Sequence, residues 1–386
     1  MKVIFYTHTE FADCTFPLIS ELQHQGVDAY CYLEINKNFQ ADNIIEFNHK
    51  VNWFGFYKAS NLHEFEAYKD CIDLERTYVI APWIARIWWL PGLFVWLIAV
   101  FNMIAKKADV IHIDWQLAKS SKLLLWLPVA KKHVMTVHDP IIHGNTPGWE
   151  IEDKRRKRCF DWADHFILLN NEQVDEFSKR YSIDRIKISV SHLGAYDSVS
   201  KFPIKTDSIT VPYALFWGRI NPYKGLEDLL AAAVKCHESN PDFKLIIAGK
   251  GQEYFDFSPY KKLDYIEWRF RYIGITELVN LIRNCKFAVC PYKDATQSGV
   301  VQTAFVLDTP VIATNVGALP KAITDGITGL IVPPSDPVSL AKAMETLWHD
   351  DTLCSKMREN IKTVWKPTMS WDIIAKQYIE VYEQRK

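Results

Sequence analysis

Two cations in one short loop carry the clearest chemical signal in this sequence. The run YALFWGRINPYKGLEDLL covers residues 213–230, and its loop holds Arg219 and Lys224. Apolar residues before Gly218 predict a buried strand, and leucines after Gly225 recur at helical spacing. Ligands bind at strand-to-helix loops of α/β sheets, and a helix N-terminus there favours an anion. Arg presents a planar fork of donors and Lys a mobile point charge, so the pair suits a diphosphate. The alternative is a surface loop with two solvated cations.

Length and composition limit the class of protein. A chain of 386 residues exceeds the usual single core, which favours two domains. The formal net charge of -1 argues against a dedicated nucleic-acid partner. The eight cysteines are scattered without a C-x-x-C pair, which is typical of reduced thiols in a cytoplasmic protein. The start MKVIFYT reads as a strand, so no signal peptide is expected.

One apolar stretch, residues 78–104, has the length and composition of a membrane span. Arg86 is its only charge, while Pro91 and Gly92 interrupt it. Three interpretations are open: a helix lying in the membrane interface, a buried core helix, and a true span. Clustered Trp residues such as Trp88 and Trp89 favour the interface, where their N–H groups meet water and lipid carbonyls.

A basic run supports the same expectation. Residues 153–158 read DKRRKR, which is either attracted to anionic lipid or forms a solvated helix face. Together the two stretches predict peripheral binding to an anionic membrane surface, with no segment crossing the bilayer.

Short apolar strands alternate with helical patterns along the whole chain. This alternation predicts an α/β protein with two doubly wound, Rossmann-like domains and a binding crevice between them. Residues 201–208 are the predicted linker, within a first domain of 1–203 and a second of 204–369. A further short strand is expected to end at Ile273 and Gly274, followed by a helix with Thr276 as its N-cap. The predicted strands are 2–6, 29–33, 109–114, 133–138, 166–169, 186–191, 213–217, 244–248, 287–290, 311–314 and 330–332.

Five motifs in order carry a family resemblance. They are FWGRINPYKG (216–225), LIIAGKG (245–251), DTPVIATNVGALP (308–320), DGITGLIVPPSDP (325–337) and SWDIIAKQYIEVY (370–382). The second half therefore resembles the family-4 retaining glycosyltransferases, the "glycosyl transferases group 1" type. The first half is similar more loosely, through DVIHIDW (109–115) and VMTVHDP (134–140). The resemblance implies a GT-B fold, with a first domain on the acceptor side, a second domain for the donor, and a terminal helix 370–386 that packs back on the first.

The resemblance also assigns roles to residues. Arg219 and Lys224 match the basic pair that holds the donor diphosphate and stabilises it as leaving group. His138 matches a histidine near the donor sugar, although a buried structural histidine is the alternative. The implied donor-binding residues are Gly218, Gln297, Ser298, Gly299, Val300 and Thr303.

The sequence departs from the family at several of these positions. The family carries two glutamates eight positions apart, and here those positions are Ala295 and Thr303. Asp294 is a neighbouring carboxylate, and Gln297 and Ser298 suggest neutral hydrogen bonding instead. The glycine-rich first loop is replaced by THTEFADCTFP, and the glutamate expected after the GGxP-like turn is replaced by lysine.

The resulting expectation is a retaining, metal-independent glycosyltransferase that needs no cofactor and takes a nucleotide-diphosphate-sugar as substrate. Its acceptor is expected to be a lipid-linked or oligosaccharide chain at the cytoplasmic face of the membrane, in bacterial capsule, O-antigen or exopolysaccharide assembly. Two alternatives are a GT-B nucleotide-sugar epimerase and a catalytically silent partner subunit. No D-x-D pair, zinc-type His/Cys spacing, GxGxxG or GxSxG points to other chemistry.

Overall fold

The chain folds into two compact units. The structure, a computed structural model, describes residues 1–36, 53–83, 90–114, 124, 127–138, 140, 149–169, 171–195, 197–202, 211–295 and 299–384. The first unit comprises Met1–Gly194 with Ser370–Lys386, and the second comprises Ala195–Met369. The chain thus enters the second unit after Gly194, before the predicted linker at 201–208.

The described part of the first unit is built on an eight-stranded sheet. Its strands are β1 (Lys2–His8), β2 (Asp28–Asn36), β3 (Gly55–Lys58), β4 (Thr77–Trp83), β5 (Ala108–Ile113), β6 (Ala130–Val137), β7 (His165–Leu168) and β8 (Ile188–Val190). The order is β3-β4-β2-β1-β5-β6-β7-β8, with parallel neighbours except for the antiparallel pair β3–β4. Its helices are α1 (Ala12–His24), α2 (Leu90–Lys106), α3 (Trp149–Phe160) and α4 (Val174–Tyr181). Central strands are buried on both faces, which explains their continuous apolar runs.

The apolar stretch at 78–104 is not one continuous helix. Its first part is strand β4 and its second part is helix α2, while residues 84–89, which include Trp88 and Trp89, lie outside the described residues. Among the described helices, none is long and apolar enough to cross a membrane. One side of α2 enters the core through Val95, Trp96, Ala99 and Met103. The other side exposes Leu90, Phe94, Ile98 and Phe101.

The second unit has a six-stranded parallel sheet in its described part. The strands are β9 (Ala214–Trp217), β10 (Leu245–Ala248), β11 (Ile266–Arg269), β12 (Phe287–Cys290), β13 (Val311–Thr314) and β14 (Gly329–Val332), in the order β11-β10-β9-β12-β13-β14. The helices are α5 (Leu226–Ser239), α6 (Ser258–Lys261), α7 (Ile275–Asn284), α8 (Gly299–Val306), α9 (Leu319–Ala322), α10 (Pro337–His349), α11 (Asp351–Asn360) and α12 (Lys366–Thr368).

Two details of this unit differ from the sequence prediction. The strand expected to end at Ile273 and Gly274 is β11, which ends earlier, at Arg269. Thr276 is not an N-cap, because α7 already begins at Ile275, whose side chain is buried, and the extended residue Gly274 precedes it.

The last helix, α13 (Trp371–Glu383), belongs to the first unit. Ser370 caps it by accepting a hydrogen bond from the Asp372 amide. Tyr382 Oη lies 2.9 Å from His112 Nδ1, and Tyr378 Oη lies 3.2 Å from Thr136 Oγ1. Buried polar contacts thus join this helix to strands β5 and β6.

Candidate functional site

The second sheet has a single point where its strand order reverses, among the described strands. From β9 the chain moves outward through β10 and β11, then returns to β12 on the opposite side of β9. Loops that follow β9 and β12 therefore leave the same edge of the sheet and diverge to opposite faces. Such a topological switch point is where open α/β sheets bind ligands. Arg219 and Lys224 lie in the loop after β9, so the fold places both cations there.

The two loops at this switch point are interlocked. Gly225 has φ 64°, and a Cβ there would lie 2.0 Å from the carbonyl oxygen of Pro291. Only glycine allows this backbone conformation and this close approach. The Lys293 amide donates to the Tyr223 carbonyl at 2.7 Å, which ties the loops together a second time. The position of Lys224 is therefore set by both loops, not by its own loop alone.

Lys224 is buried, which the sequence did not indicate. Only 7% of the residue is exposed, and Nζ donates to the Tyr292 hydroxyl at 2.9 Å. Among the described residues, no carboxylate pairs with this ammonium. Burial, together with the nearby charge of Arg219, lowers the Lys224 pKa. The alternative of a surface loop with two solvated cations is therefore wrong for Lys224, whereas Arg219 is exposed.

A helix N-terminus lies beside the buried ammonium. Gly218 has φ 112°, and a Cβ there would lie 3.1 Å from Lys224 Nζ and 3.9 Å from Val300 Cγ2. Gly299 and Val300 form the first turn of α8, whose unpaired amides favour an anion. The ammonium and the positive end of α8 thus converge on the space beside Gly218.

The remaining predicted donor-binding residues give a mixed result. Gln297 and Ser298 lie outside the described residues. Thr303 is buried, and its hydroxyl donates at 2.7 Å to the Gly299 carbonyl of its own helix. This hydrogen bond lies within one turn of α8, between residues four positions apart. Tyr292 is marked by none of the sequence motifs, and its position just after strand β12 at the switch point is the signal that points to it.

His138 lies in the first unit, at the carboxyl end of β6. Its ring stacks on Phe11 with centroids 4.4 Å apart. Burial lowers the His138 pKa to about 4, so the imidazole is neutral near pH 7 and can exchange hydrogen bonds with hydroxyl groups.

A small polar cavity surrounds this histidine within the first unit. It is lined by Thr15, Asp114, Thr136, His138, His192 and Tyr378, among others. Asp114 accepts a hydrogen bond from the Thr15 hydroxyl, and burial raises its pKa to about 6. The sequence analysis had not assigned Asp114 a role, although it directly follows strand β5. The space is about large enough for one water molecule, and Leu18, Leu169 and Trp371 also line it.

Known proteins resemble this chain in sequence and in structure. Residues 201–364 match the family model described as "Glycosyl transferases group 1". A D-inositol 3-phosphate glycosyltransferase from Corynebacterium glutamicum is 28% identical over 260 residues, which cover 62% of this chain and 61% of that protein. A glycogen synthase from Mycobacterium tuberculosis is 23% identical over 286 residues, 72% of this chain and 69% of that one. The match thus spans about three fifths of the corynebacterial relative's length.

Solved structures resemble the chain over nearly its full length. HepE from Anabaena in complex with UDP-glucose gives a TM-score of 0.68 at 13% identity, covering 98% of each chain. Sucrose-phosphate synthase from Thermosynechococcus elongatus gives 0.68 at 18% identity, covering 100% of this chain and 99% of that one. These likenesses confirm the predicted GT-B fold class. The match to group 1 confirms the coarser part of the family resemblance, whereas membership of family 4 and retention stay predictions.

We expect the buried ammonium of Lys224 to lower the stability of the fold. Replacing Lys224 by methionine keeps an unbranched chain but removes a desolvated charge that has no carboxylate partner. We expect the variant to be more stable by on the order of 1 kcal/mol, which raises Tm by roughly 2–4 °C in a unit of this size. Differential scanning calorimetry of the wild type and the variant measures this. The exposed Lys342→Met is the control and should leave Tm unchanged; a lower Tm for Lys224→Met would show that the ammonium stabilises the fold.

Proposed function

We propose that the protein is a glycosyltransferase of the group 1 type, which moves a sugar from a nucleotide-diphosphate-sugar to an acceptor hydroxyl. The observation that carries the proposal is the buried Lys224 beside Arg219 at the switch point of the second sheet. This pair lies within the residues that match the group 1 family model. Similar folds have been solved with UDP-glucose and with ADP bound, which supports a nucleotide-sugar donor.

The proposed chemistry follows from where negative charge develops. The bond between the anomeric carbon and the diphosphate oxygen breaks, and its electron pair remains on the diphosphate. Fixed cations and the first amides of α8 stabilise that charge more in the transition state than in the bound donor. The acceptor oxygen forms the new bond to the anomeric carbon, and the leaving diphosphate takes its proton. We propose retention of configuration by this front-side route, in which no protein nucleophile is needed.

We further propose that the acceptor is lipid-linked and that the protein binds the inner face of the membrane peripherally. Helices α2 and α3 bury residues in the same core cluster, on one face of the first sheet. Their outer surfaces therefore belong to one helix layer. Helix α2 exposes Phe94 and Phe101 to 64% and 67%, and α3 exposes Lys154, Lys157 and Arg158. Exposed apolar side chains and exposed cations on one helix layer are complementary to an anionic lipid surface.

Loss of the exposed cation tests the diphosphate clamp. Arg219→Ala should lower turnover by on the order of a hundredfold or more, because one donor to the developing charge is lost. Its Tm should not change, since Arg219 is exposed and does not pack in the core. Turnover at saturating donor is the measurement, with Lys342→Ala as a control that keeps full activity. Near-normal turnover of Arg219→Ala would contradict the assignment.

Chelation tests how the diphosphate charge is neutralised. Because two side-chain cations carry that role in the proposal, EDTA should leave the initial rate almost unchanged. The rate is compared before and after dialysis against the chelator, with and without added magnesium or manganese. A rate that disappears on chelation and returns with either ion would instead indicate a metal-held diphosphate.

The membrane proposal is tested on the exposed side of α2. Replacing Phe94 and Phe101 by serine should move the protein from sedimenting anionic vesicles to the supernatant, because it removes the apolar contact area. Binding of a nucleoside diphosphate should be retained, since the proposed clamp lies in the other unit. Ile186→Ser is the matched control, because Ile186 is 80% exposed on the first unit but lies outside both helices.

Two results would contradict the membrane proposal. The first is a wild-type protein that stays in the supernatant with anionic vesicles at low salt. The second is a double variant that sediments as well as the wild type. Release of the wild type by high salt is expected, because exposed cations contribute to the attraction.

A further inference from the structure

Tyr292 is the one direct hydrogen-bond partner of the Lys224 ammonium in the described part of the second unit. It follows strand β12, and 3% of the residue is exposed. The hydroxyl of Thr314, at the end of β13, donates to the Tyr292 carbonyl oxygen. The ring also packs edge-on against Tyr223, with centroids 6.1 Å apart. The phenol oxygen is thus held by backbone and ring contacts that do not involve Lys224.

The Lys224 side chain needs such a fixed partner. A lysine has four rotatable bonds and a strongly hydrated head, and it does not position its charge by its own shape. An ammonium has three donors. One of them is used by the Tyr292 oxygen at 2.9 Å, and the described residues occupy neither of the other two. Gly218 contributes no side chain to the space beside Nζ, where a Cβ would lie 3.1 Å from the ammonium.

The chemical type of the partner matters for the charge. A carboxylate would also hold the ammonium, but it would cancel the field that a diphosphate experiences. The nearby carboxylates Glu227 and Asp228 instead face Lys293, which donates to the first and lies 3.7 Å from the second. The Cys290 thiol next to Lys224 is neutral, because burial raises its pKa to about 12. Among the described residues, the groups facing Lys224 are therefore the neutral Tyr292, Tyr223 and Cys290 and the cation Arg219.

We propose that Tyr292 is the positioning residue of Lys224: its neutral hydroxyl fixes the ammonium at the switch point and leaves the full positive charge for a diphosphate. The inference rests on the proposed function and adds a residue that the sequence motifs did not mark. It also assigns a reason to the tyrosine, because phenylalanine would fill the same space without accepting the hydrogen bond.

The test compares wild type with Tyr292→Phe in calorimetric titrations of UDP, ADP and GDP, from neutral to alkaline pH. The variant should bind the preferred diphosphate about tenfold more weakly, which is the typical effect of one hydrogen bond to a charged group. Without an acceptor for the ammonium, the charged form of Lys224 is less stable and its pKa falls further. Affinity should therefore decline at a lower pH in the variant than in the wild type.

Tyr223→Phe is the matched control. Tyr223 lies in the same pair of loops and 44% of it is exposed, but its ring centroid is 5.9 Å from Lys224 Nζ and it does not hold the ammonium. Tyr223→Phe should bind the preferred diphosphate with the wild-type affinity, and that affinity should decline at the same pH as in the wild type. Tyr292→Phe preserves the packing of the ring and removes only the hydroxyl. If Tyr292 had a purely structural role, the pH midpoint of diphosphate binding would therefore not change.

Each outcome decides the matter. Weaker binding with a shifted midpoint supports the positioning role. Equal affinity, or weaker binding with an unshifted midpoint, overturns it while the proposed function stands. A wild type that binds none of the three diphosphates overturns the proposed function, and this inference with it.

Discussion

An ammonium removed from water without a carboxylate partner is the constraint on which the second unit depends. Burial of an uncompensated charge opposes folding, and such a group persists only where the surrounding structure holds it. Here the support comes from two loops at one edge of a parallel sheet, joined through Gly225 and Pro291 and through Lys293 and Tyr223. The nearby carboxylates Glu227 and Asp228 face Lys293 instead of this ammonium. Burial of Lys224 thus lowers the stability of the fold, and in the proposed function it provides a preorganised electrostatic site.

The same logic explains why small residues recur around the cations. A side chain at Gly218 would crowd the Lys224 ammonium, and a side chain at Gly225 would collide with Pro291. Both glycines also have positive φ angles, which other residues adopt only with strain. In this unit the motif residues that carry no charge shape the space in which the charged ones act. In the proposed function, the geometry of the diphosphate clamp is therefore fixed by the fold.

The first unit combines a polar interior edge with an apolar outer surface. Neutral imidazole, carboxyl and hydroxyl groups collect at the carboxyl ends of β5 and β6, where α13 adds Tyr378. On the helix layer, α2 is apolar on both sides, and its core side buries Trp96 fully while its outer side exposes Phe94 and Phe101. Among the described residues, the outer side of α2 therefore carries apolar side chains that the first unit leaves exposed.

Much of this architecture is determined by the sequence alone. Alternating short apolar runs and helical patterns predicted parallel sheets, and the run FWGRINPYKG located the cationic loop between β9 and α5. Sequence patterns succeed there because an apolar run and a helical repeat can each be recognised within one short segment. The tertiary structure alone decided that residues 78–104 divide into a strand and a helix, since continuous hydrophobicity does not distinguish the two. It also decided that Lys224 is buried and faces Tyr292, because that contact joins residues far apart in sequence through the crossing of two loops at a switch point.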